Sequence, residues 1–292
     1  MYDSKYLPAQ NVKEACALLS QYGEEAKILG GGQSLVLLLR QKLIVPSYLI
    51  DIKGISDLDY IRYDERDGLR IGALTTHRAL ETSPIVKEKF FMLAEMERRL
   101  ASVPVRNWGT VGGNLCHADP ASDLAPSLIA LGAEVKLTGP NGERVVDLEE
   151  FFLGFFETVL KPDEILTEIH IPDSGMGDGI YLKFTHRETD LSITGVATFF
   201  TPDEQGYDVC HDIRIVMGSV GSTPLRAKKA EERIRGQKVD DGIIEEAALI
   251  SSEESQPTSD MNGSEAYKRE IVKVLVRRTV KEAMARAMAA DR

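Results

Sequence analysis

The chain has 292 residues, of which 43% are hydrophobic and 28% are charged, a composition typical of globular proteins. Its 46 acidic and 35 basic residues give a formal net charge of -11, which argues against a surface built to bind nucleic acid. No stretch approaches the roughly 18 apolar residues of a membrane span. The first residues lack the basic-then-apolar pattern of a secretion signal, so we expect a cytoplasmic location.

The first 55 residues alternate between helix and strand. Apolar spacing predicts a helix over Lys13–Gln21 and another over Ser34–Lys42. Short β-prone runs predict strands over Ala26–Leu29 and Tyr48–Ile52.

The pattern of predicted elements changes from residue 58, where two strands of a hairpin come first. A long helical stretch covers residues 75–100 and is interrupted at Ser83–Pro84, whereas residues 102–120 read as a polar, glycine-bearing loop. The remaining predicted elements are strands over residues 58–63, 69–74, 133–138, 143–147 and 164–171, and a helix over residues 123–131.

A linker is predicted over residues 173–179, because three glycines in seven residues are costly inside a regular element. Strands follow over residues 180–185, 192–200 and 208–217, and helices over residues 224–235, 240–251 and 264–290. The order of elements predicts an α+β fold and not a doubly wound sheet.

The first segment that could carry chemistry is Leu29-Gly30-Gly31-Gly32-Gln33-Ser34-Leu35. A strand ends there, three glycines bring bare N–H groups to the surface, and a helix begins with its positive dipole end. Such a turn suits a pyrophosphate, although an ordinary tight turn would have the same sequence. The spacing fits neither the Rossmann nor the P-loop motif.

A second glycine cluster begins about 80 residues later in the predicted loop. Its glycines are Gly109, Gly112 and Gly113, and its polar side chains are those of Asn107, Thr110 and Asn114. A loop this polar must satisfy its backbone groups, and a bound ligand would do so. Two such segments could hold the two ends of one dinucleotide.

The residues after this cluster allow several interpretations. His117 and Asp119 could be metal ligands, or a base and the group that orients it. A metal would need a third ligand, which no sequence neighbour supplies, so we expect no metal site. Ser122 or Asp123 also stands where a helix N-cap belongs. The three cysteines are far apart and form no C-x-x-C pair, which argues against an iron–sulfur cluster in this chain.

These segments resemble a known family when taken together and in order. Gly30–Leu35 resembles the first FAD loop of the flavoprotein subunits of the carbon monoxide dehydrogenase and xanthine dehydrogenase family, and Thr110–Asn114 resembles the second. Asp119–Leu124 resembles the segment that follows. Weaker matches lie at residues 49–52, 71–77, 163–166 and 218–227.

The resemblance implies a vanillyl-alcohol-oxidase-like FAD-binding fold of two subdomains, residues 1–55 and 56–174. It also implies a C-terminal domain, residues 175–292, with a three-stranded sheet and a helical bundle. The cofactor would be FAD, with its diphosphate on the two glycine segments.

The resemblance also assigns roles to single residues. Asp123 would contact the polar chain of the flavin, Leu166 would lie near the ring, and Lys183 would stand at its N1/O2 edge. The full implied set is Leu29, Gly30, Gly31, Gly32, Gln33, Ser34, Leu35, Asn107, Gly109, Thr110, Gly112, Gly113, Asn114, His117, Ser122, Asp123, Leu166 and Lys183.

The implied function is electron transfer inside a larger complex. A molybdenum-cofactor large subunit would act on the organic substrate, a small subunit with two [2Fe–2S] clusters would carry electrons, and this chain would pass them through FAD to NAD, a quinone or another acceptor. Two residues depart from the pattern. Gly30 stands where many relatives have alanine, and Leu191 stands where carbon monoxide dehydrogenases have a tyrosine by the ring.

Three other functions remain to be weighed. A self-sufficient flavin oxidoreductase would need its own acid or base, for which His186 and Tyr181 are the candidates. A scaffold with a decayed flavin site conflicts with the intact glycine segments. A metal hydrolase built on His117 and Asp119 lacks a third ligand.

Overall fold

The N-terminal part of the chain forms a small parallel sheet, in which β3 (Tyr48–Asp51) lies between β1 (Lys5–Pro8) and β2 (Ala26–Leu29). The computed structural model describes residues 4–173, 175–203 and 206–290. Asn11 caps the first helix by accepting a hydrogen bond from the backbone N–H of Glu14 (2.9 Å). The first strand was not predicted, because four largely exposed residues give no clear alternation. The elements are β1 (Lys5–Pro8), α1 (Val12–Tyr22), β2 (Ala26–Leu29), α2 (Leu35–Arg40) and β3 (Tyr48–Asp51).

A five-stranded antiparallel sheet follows, with the order β4–β5–β10–β6–β7. Helices pack on it and enclose the largest hydrophobic core. Its elements are β4 (Ile61–Asp64), β5 (Gly68–Gly72), α3 (His77–Thr82), α4 (Pro84–Lys89), α5 (Phe91–Arg99), α6 (Val103–Trp108), α7 (Val111–His117), α8 (Leu124–Ala130), β6 (Glu134–Gly139), β7 (Gly142–Asp147), α9 (Leu148–Phe151), β8 (Phe152–Gly154), β9 (Glu157–Thr158) and β10 (Ile165–Ile171).

The prediction of a loop over residues 102–120 was wrong, because α6 and α7 lie there. Both helices have fewer than two turns, too short to show an apolar period. The side chain of Thr110 caps α7 by accepting from the N–H of Gly113 (3.2 Å). Capping and tertiary contacts therefore stabilise a helix whose two glycines disfavour it.

The C-terminal part forms an antiparallel sheet with the order β11–β12–β13–β14, packed against helices. The three long strands agree with the predicted sheet, and a two-residue fourth strand joins it where the sequence predicted the start of a helix. The N–H of Ala227 donates to Ile215 O (2.9 Å), which keeps this segment extended until residue 228. The elements are β11 (Asp178–Phe184), β12 (Thr194–Asp203), β13 (Gly206–Gly218), β14 (Leu225–Arg226), α10 (Lys228–Ile234), α11 (Asp241–Glu254) and α12 (Glu265–Ala290).

The predicted linker over residues 173–179 is shorter in the structure. Residue 174 lies outside the described residues, and Asp178 and Gly179 already belong to β11. A Cβ on Gly177 would lie 2.3 Å from the Phe199 ring, and one on Gly179 would lie 2.6 Å from Thr198 O. These two glycines therefore allow close packing and do not indicate flexibility.

The site is positioned by α8, whose seven residues are all buried. This helix packs against β12 and β13, so its N-terminal end meets the C-terminal sheet. Across the described residues, no helix is both long and apolar enough to span a membrane.

Candidate functional site

The first glycine segment joins β2 to α2 and leaves backbone donors unused. Gly32 has φ of +76°, which favours glycine at this turn. Within the described part of the chain, the N–H groups of Gly31, Gly32 and Gln33 donate to no protein acceptor. Three free donors on one turn form the kind of nest that binds an anion.

The second glycine segment differs from the prediction, because most of its N–H groups are already paired. Gly112 donates to Ala73 O (2.9 Å), Gly109 to Val105 O (2.7 Å), and Gly113 to the Thr110 hydroxyl. This segment is thus not a second open nest. What it can offer a ligand are polar side chains and a close approach of backbone.

The two glycine segments touch each other. A Cβ on Gly31 would lie 2.0 Å from Trp108 O, and one on Gly30 would lie 3.3 Å from the Thr110 hydroxyl. A Cβ on Gly109 would lie 3.6 Å from Cγ of Gln33. The structure therefore brings the two segments together, and glycine is needed there for contact between backbones.

Polar side chains continue from α7 toward α8. The Ser122 hydroxyl donates to Asn114 Oδ1 (2.7 Å). The His117 ring lies 5.2 Å from the Phe156 ring, and burial lowers the pKa of His117 while Asp119 opposes that shift. Among the described residues, no group of three or more His, Cys, Asp or Glu side chains could hold a metal ion.

Asp123 is the centre of a buried polar cluster at the start of α8. Its side chain makes no capping hydrogen bond; instead Oδ1 accepts from the Tyr181 hydroxyl (2.6 Å) and Oδ2 from Lys183 Nζ (2.7 Å). Lys183 also donates to Asp190 O (2.9 Å). The Asp123 and Lys183 side chains are each only 5% exposed. Burial raises the pKa of Asp123, although Lys183 and Tyr181 oppose that rise.

Three residues singled out by the sequence differ in their surroundings. Leu166 is 2% exposed and packs in the main core, paired with Leu137 across the sheet. Lys183, predicted at the N1/O2 edge of the ring, forms an ion pair with Asp123 (2.7 Å). Leu191 is 63% exposed on the loop that begins after β11.

Tyr181 was assigned a different role by sequence reasoning. It was a candidate acid or base, but its hydroxyl is committed to Asp123, and burial followed by the charge of Asp123 raises its pKa well above the ordinary value. The signal that could have found its partnership is its spacing of two from Lys183, which places both on one face of a strand.

Residues 2–174 match the family described as the FAD binding domain in molybdopterin dehydrogenase. Residues 180–283 match the CO dehydrogenase flavoprotein C-terminal domain. The chain therefore belongs to the FAD-binding medium subunits of the molybdenum hydroxylases, and is an oxidoreductase subunit. The free donors of the first glycine segment and the backbone contact of the second fit an FAD diphosphate.

Particular relatives cover almost the whole chain. A carbon monoxide dehydrogenase medium chain from Hydrogenophaga pseudoflava is 35% identical over 283 residues, covering 97% of each chain. The alpha subunit of the 6-hydroxypseudooxynicotine dehydrogenase complex of Paenarthrobacter nicotinovorans is also 35% identical, covering 97% of this chain and 95% of its own. A solved carbon monoxide dehydrogenase from H. pseudoflava superposes with a TM-score of 0.93 at 34% identity, covering 97% of this chain and 98% of that one.

Proposed function

We propose that this chain receives electrons from a [2Fe–2S] small subunit and passes them through FAD to an external acceptor such as NAD or a quinone. A large subunit with a molybdenum cofactor would act on the organic substrate. FAD can accept electrons singly and release them as a pair, which suits this position.

The observation that carries this proposal is the series of polar groups that lie between the first glycine segment and Lys183. The set runs through Thr110, Asn114 and Ser122 to Asp123, and so joins the N-terminal sheet to the C-terminal one. An extended dinucleotide with a diphosphate at one end and a ring at the other would match such a site.

The residues proposed to bind FAD act in different ways. Gly31, Gly32 and Gln33 would donate backbone N–H groups to the diphosphate. Asp123 would contact the polar chain of the flavin, and its partner Lys183 would stand at the N1/O2 edge of the ring. The others in the proposed set are Leu29, Gly30, Ser34, Leu35, Asn107, Gly109, Thr110, Gly112, Gly113, Asn114, His117, Ser122 and Leu166.

The need for partners follows from the ligands that this chain does not have. Each [2Fe–2S] cluster needs about four thiolate or imidazole ligands, and the whole sequence has three cysteines. Those cysteines are free and lie in three different parts of the fold. The names of several relatives, among them a dehydrogenase complex subunit, support a multi-subunit assembly.

The division into domains at residues 55 and 174 belongs to the same proposal. Three hydrophobic clusters support it, since each is centred in a different part of the chain. The N-terminal cluster also extends to Leu58, Leu74 and Ile165, and the middle cluster extends to Tyr181, Ala197, Phe199 and Val216. The rival function, a self-sufficient flavin oxidoreductase, is weakened because the Tyr181 hydroxyl is already bonded to Asp123.

Composition analysis tests this proposal. The chain is affinity-purified from its native cells with its partners, the flavin is identified by mass spectrometry, and iron and molybdenum are measured. We expect one FAD per chain, no FMN, and both metals in co-purifying subunits. FAD without iron or molybdenum would favour the self-sufficient enzyme, and FMN would contradict the cofactor assignment.

A further inference from the structure

Helix α6, which leads into the second glycine segment, has its charged residue inside and two large apolar residues outside, with Val105 half-buried. Arg106 is 6% exposed and is the buried residue of this helix, whereas Val103 and Trp108 are 48% and 62% exposed. Apolar burial therefore does not hold α6 on the protein.

Arg106 supplies the anchor instead. Its Nε donates to Glu81 Oε2 (2.8 Å), and its Nη1 donates to the carbonyl oxygens of Leu100 (2.7 Å) and Ala101 (2.9 Å). Ala101 has φ of +45°, a backbone conformation that alanine rarely adopts. The guanidinium thus fixes both the start of α6 and the strained turn before it.

A second buried pair lies directly behind Gly109. His77 Nδ1 is 2.9 Å and 3.0 Å from the two carboxylate oxygens of Glu97, and both residues are buried. The backbone N–H of His77 donates to Gly109 O (3.1 Å). A Cβ on Gly109 would lie 3.1 Å from Cδ2 of the His77 ring, so the imidazole supports this glycine from behind.

The two pairs face one another. Burial raises the pKa of Glu97, while His77 and Arg106 lower it, and Glu81 acts against Arg106. Removing one member of such a cluster leaves an uncompensated buried charge, so its geometry is tightly constrained.

We propose that His77 and Arg106 are positioning residues for FAD binding, acting through Gly109 and the helix that precedes it. The segment must present backbone and polar side chains to the cofactor, so it cannot bury large apolar side chains on that side. Buried hydrogen-bonded pairs behind it hold its shape before the cofactor arrives, which lowers the cost of binding. This inference rests on the proposed role of the second glycine segment.

The test compares FAD affinity with thermal stability in the flavin-depleted full chain. The variants are His77→Ala, His77→Gln and Arg106→Lys. Arg226→Lys is the matched control, because Arg226 forms a similar contact with Glu231 (2.6 Å) in the C-terminal part. FAD affinity is measured by quenching of flavin fluorescence, and folding by circular dichroism.

We expect His77→Ala and Arg106→Lys to weaken FAD binding by about tenfold or more, as seen for residues that orient metal ligands. His77→Gln should lose less, since its amide can still donate to Glu97. Arg226→Lys should lower the melting temperature and leave FAD affinity unchanged. Wild-type FAD affinity in folded His77→Ala and Arg106→Lys would overturn the inference. If either variant fails to fold, wild-type FAD affinity in folded His77→Gln would overturn it instead. If Gly31→Val also keeps its FAD, the proposed site itself is wrong.

Discussion

At the scale of single residues, the central feature is the buried pair of Asp123 and Lys183. The ammonium is 2.7 Å from one carboxylate oxygen, and the Tyr181 hydroxyl is 2.6 Å from the other. A bound flavin would therefore meet a nearly neutral pair and not an isolated cation. Removing one member leaves the other buried without a partner, which is costly.

We predict that Lys183→Met lowers the free energy of unfolding by about 3–5 kcal/mol at neutral pH, the usual cost of breaking a buried ion pair. Urea denaturation of the full chain measures it. The control is Lys228→Met, because Lys228 pairs with Glu149 but is 62% exposed. That change should cost no more than about 1 kcal/mol.

The same variant should depend on pH in a defined direction. Burial already raises the pKa of Asp123, and loss of Lys183 raises it further. A carboxyl with a raised pKa in the folded state stabilises the fold when protonated, and this contribution is lost as pH rises through that pKa. The stability loss of Lys183→Met should therefore shrink as pH falls toward about 4, the ordinary pKa of an aspartate. A loss that is constant with pH would show that Asp123 does not carry the unpaired charge.

The sequence identified both members of this pair but not their contact. Lys183 was assigned to the flavin ring by resemblance, whereas its partner lies 60 positions earlier. Contacts over such distances depend on how α8 packs against the C-terminal sheet, which no local pattern contains. The pairing of His77 with Glu97 could not be predicted for the same reason.

At the scale of elements, the two glycine segments form one unit because their backbones touch. A side chain on Gly31 would collide with Trp108 O, and one on Gly112 would lie 2.8 Å from Ala73 O. Neither glycine has a positive φ. Close approach of backbone, and not unusual conformation, explains why glycine is required at both positions.

We predict that Gly31→Val abolishes FAD binding, because the new side chain forces the two segments apart. Flavin absorbance per chain measures the loss, and circular dichroism should show that most of the fold remains. Gly54→Ala is the control, since no atom lies within 4 Å of the added Cβ. A Gly31→Val protein with a full complement of FAD would show that this contact does not matter for the cofactor.

Elements were predictable from sequence where they are long enough to show a period. Helix α1 and the long strands β10 to β13 agree with the predictions to within a few residues. Strand β1, helices α6 and α7, and strand β14 were missed although β2 and β3, with four residues each, were predicted. The missed elements lack the apolar β-prone runs of β2 and β3 and are stabilised by distant partners. The second glycine segment was therefore predicted to be a loop.

At the scale of the whole molecule, the site lies where three sheets approach one another. The first glycine segment follows the parallel sheet, the second is joined to residues 73–77 beside β5, and Lys183 lies on β11. A cofactor bound along these groups would hold the parts of the chain together. Binding of FAD should therefore raise the stability of the fold, and tighter binding should raise it more.

Under the proposed function, electrons leave the complex through the flavin of this chain. The purified complex is reduced anaerobically with dithionite and desalted, and NAD or a quinone analogue is then added in separate runs. Reoxidation of the iron–sulfur absorbance is followed for wild type and for the Gly31→Val complex. We predict rapid reoxidation by one of these acceptors in wild type, and a rate at least about tenfold lower without flavin, equivalent to 1.4 kcal/mol or more in the barrier. Equal rates in the two complexes would contradict the claim.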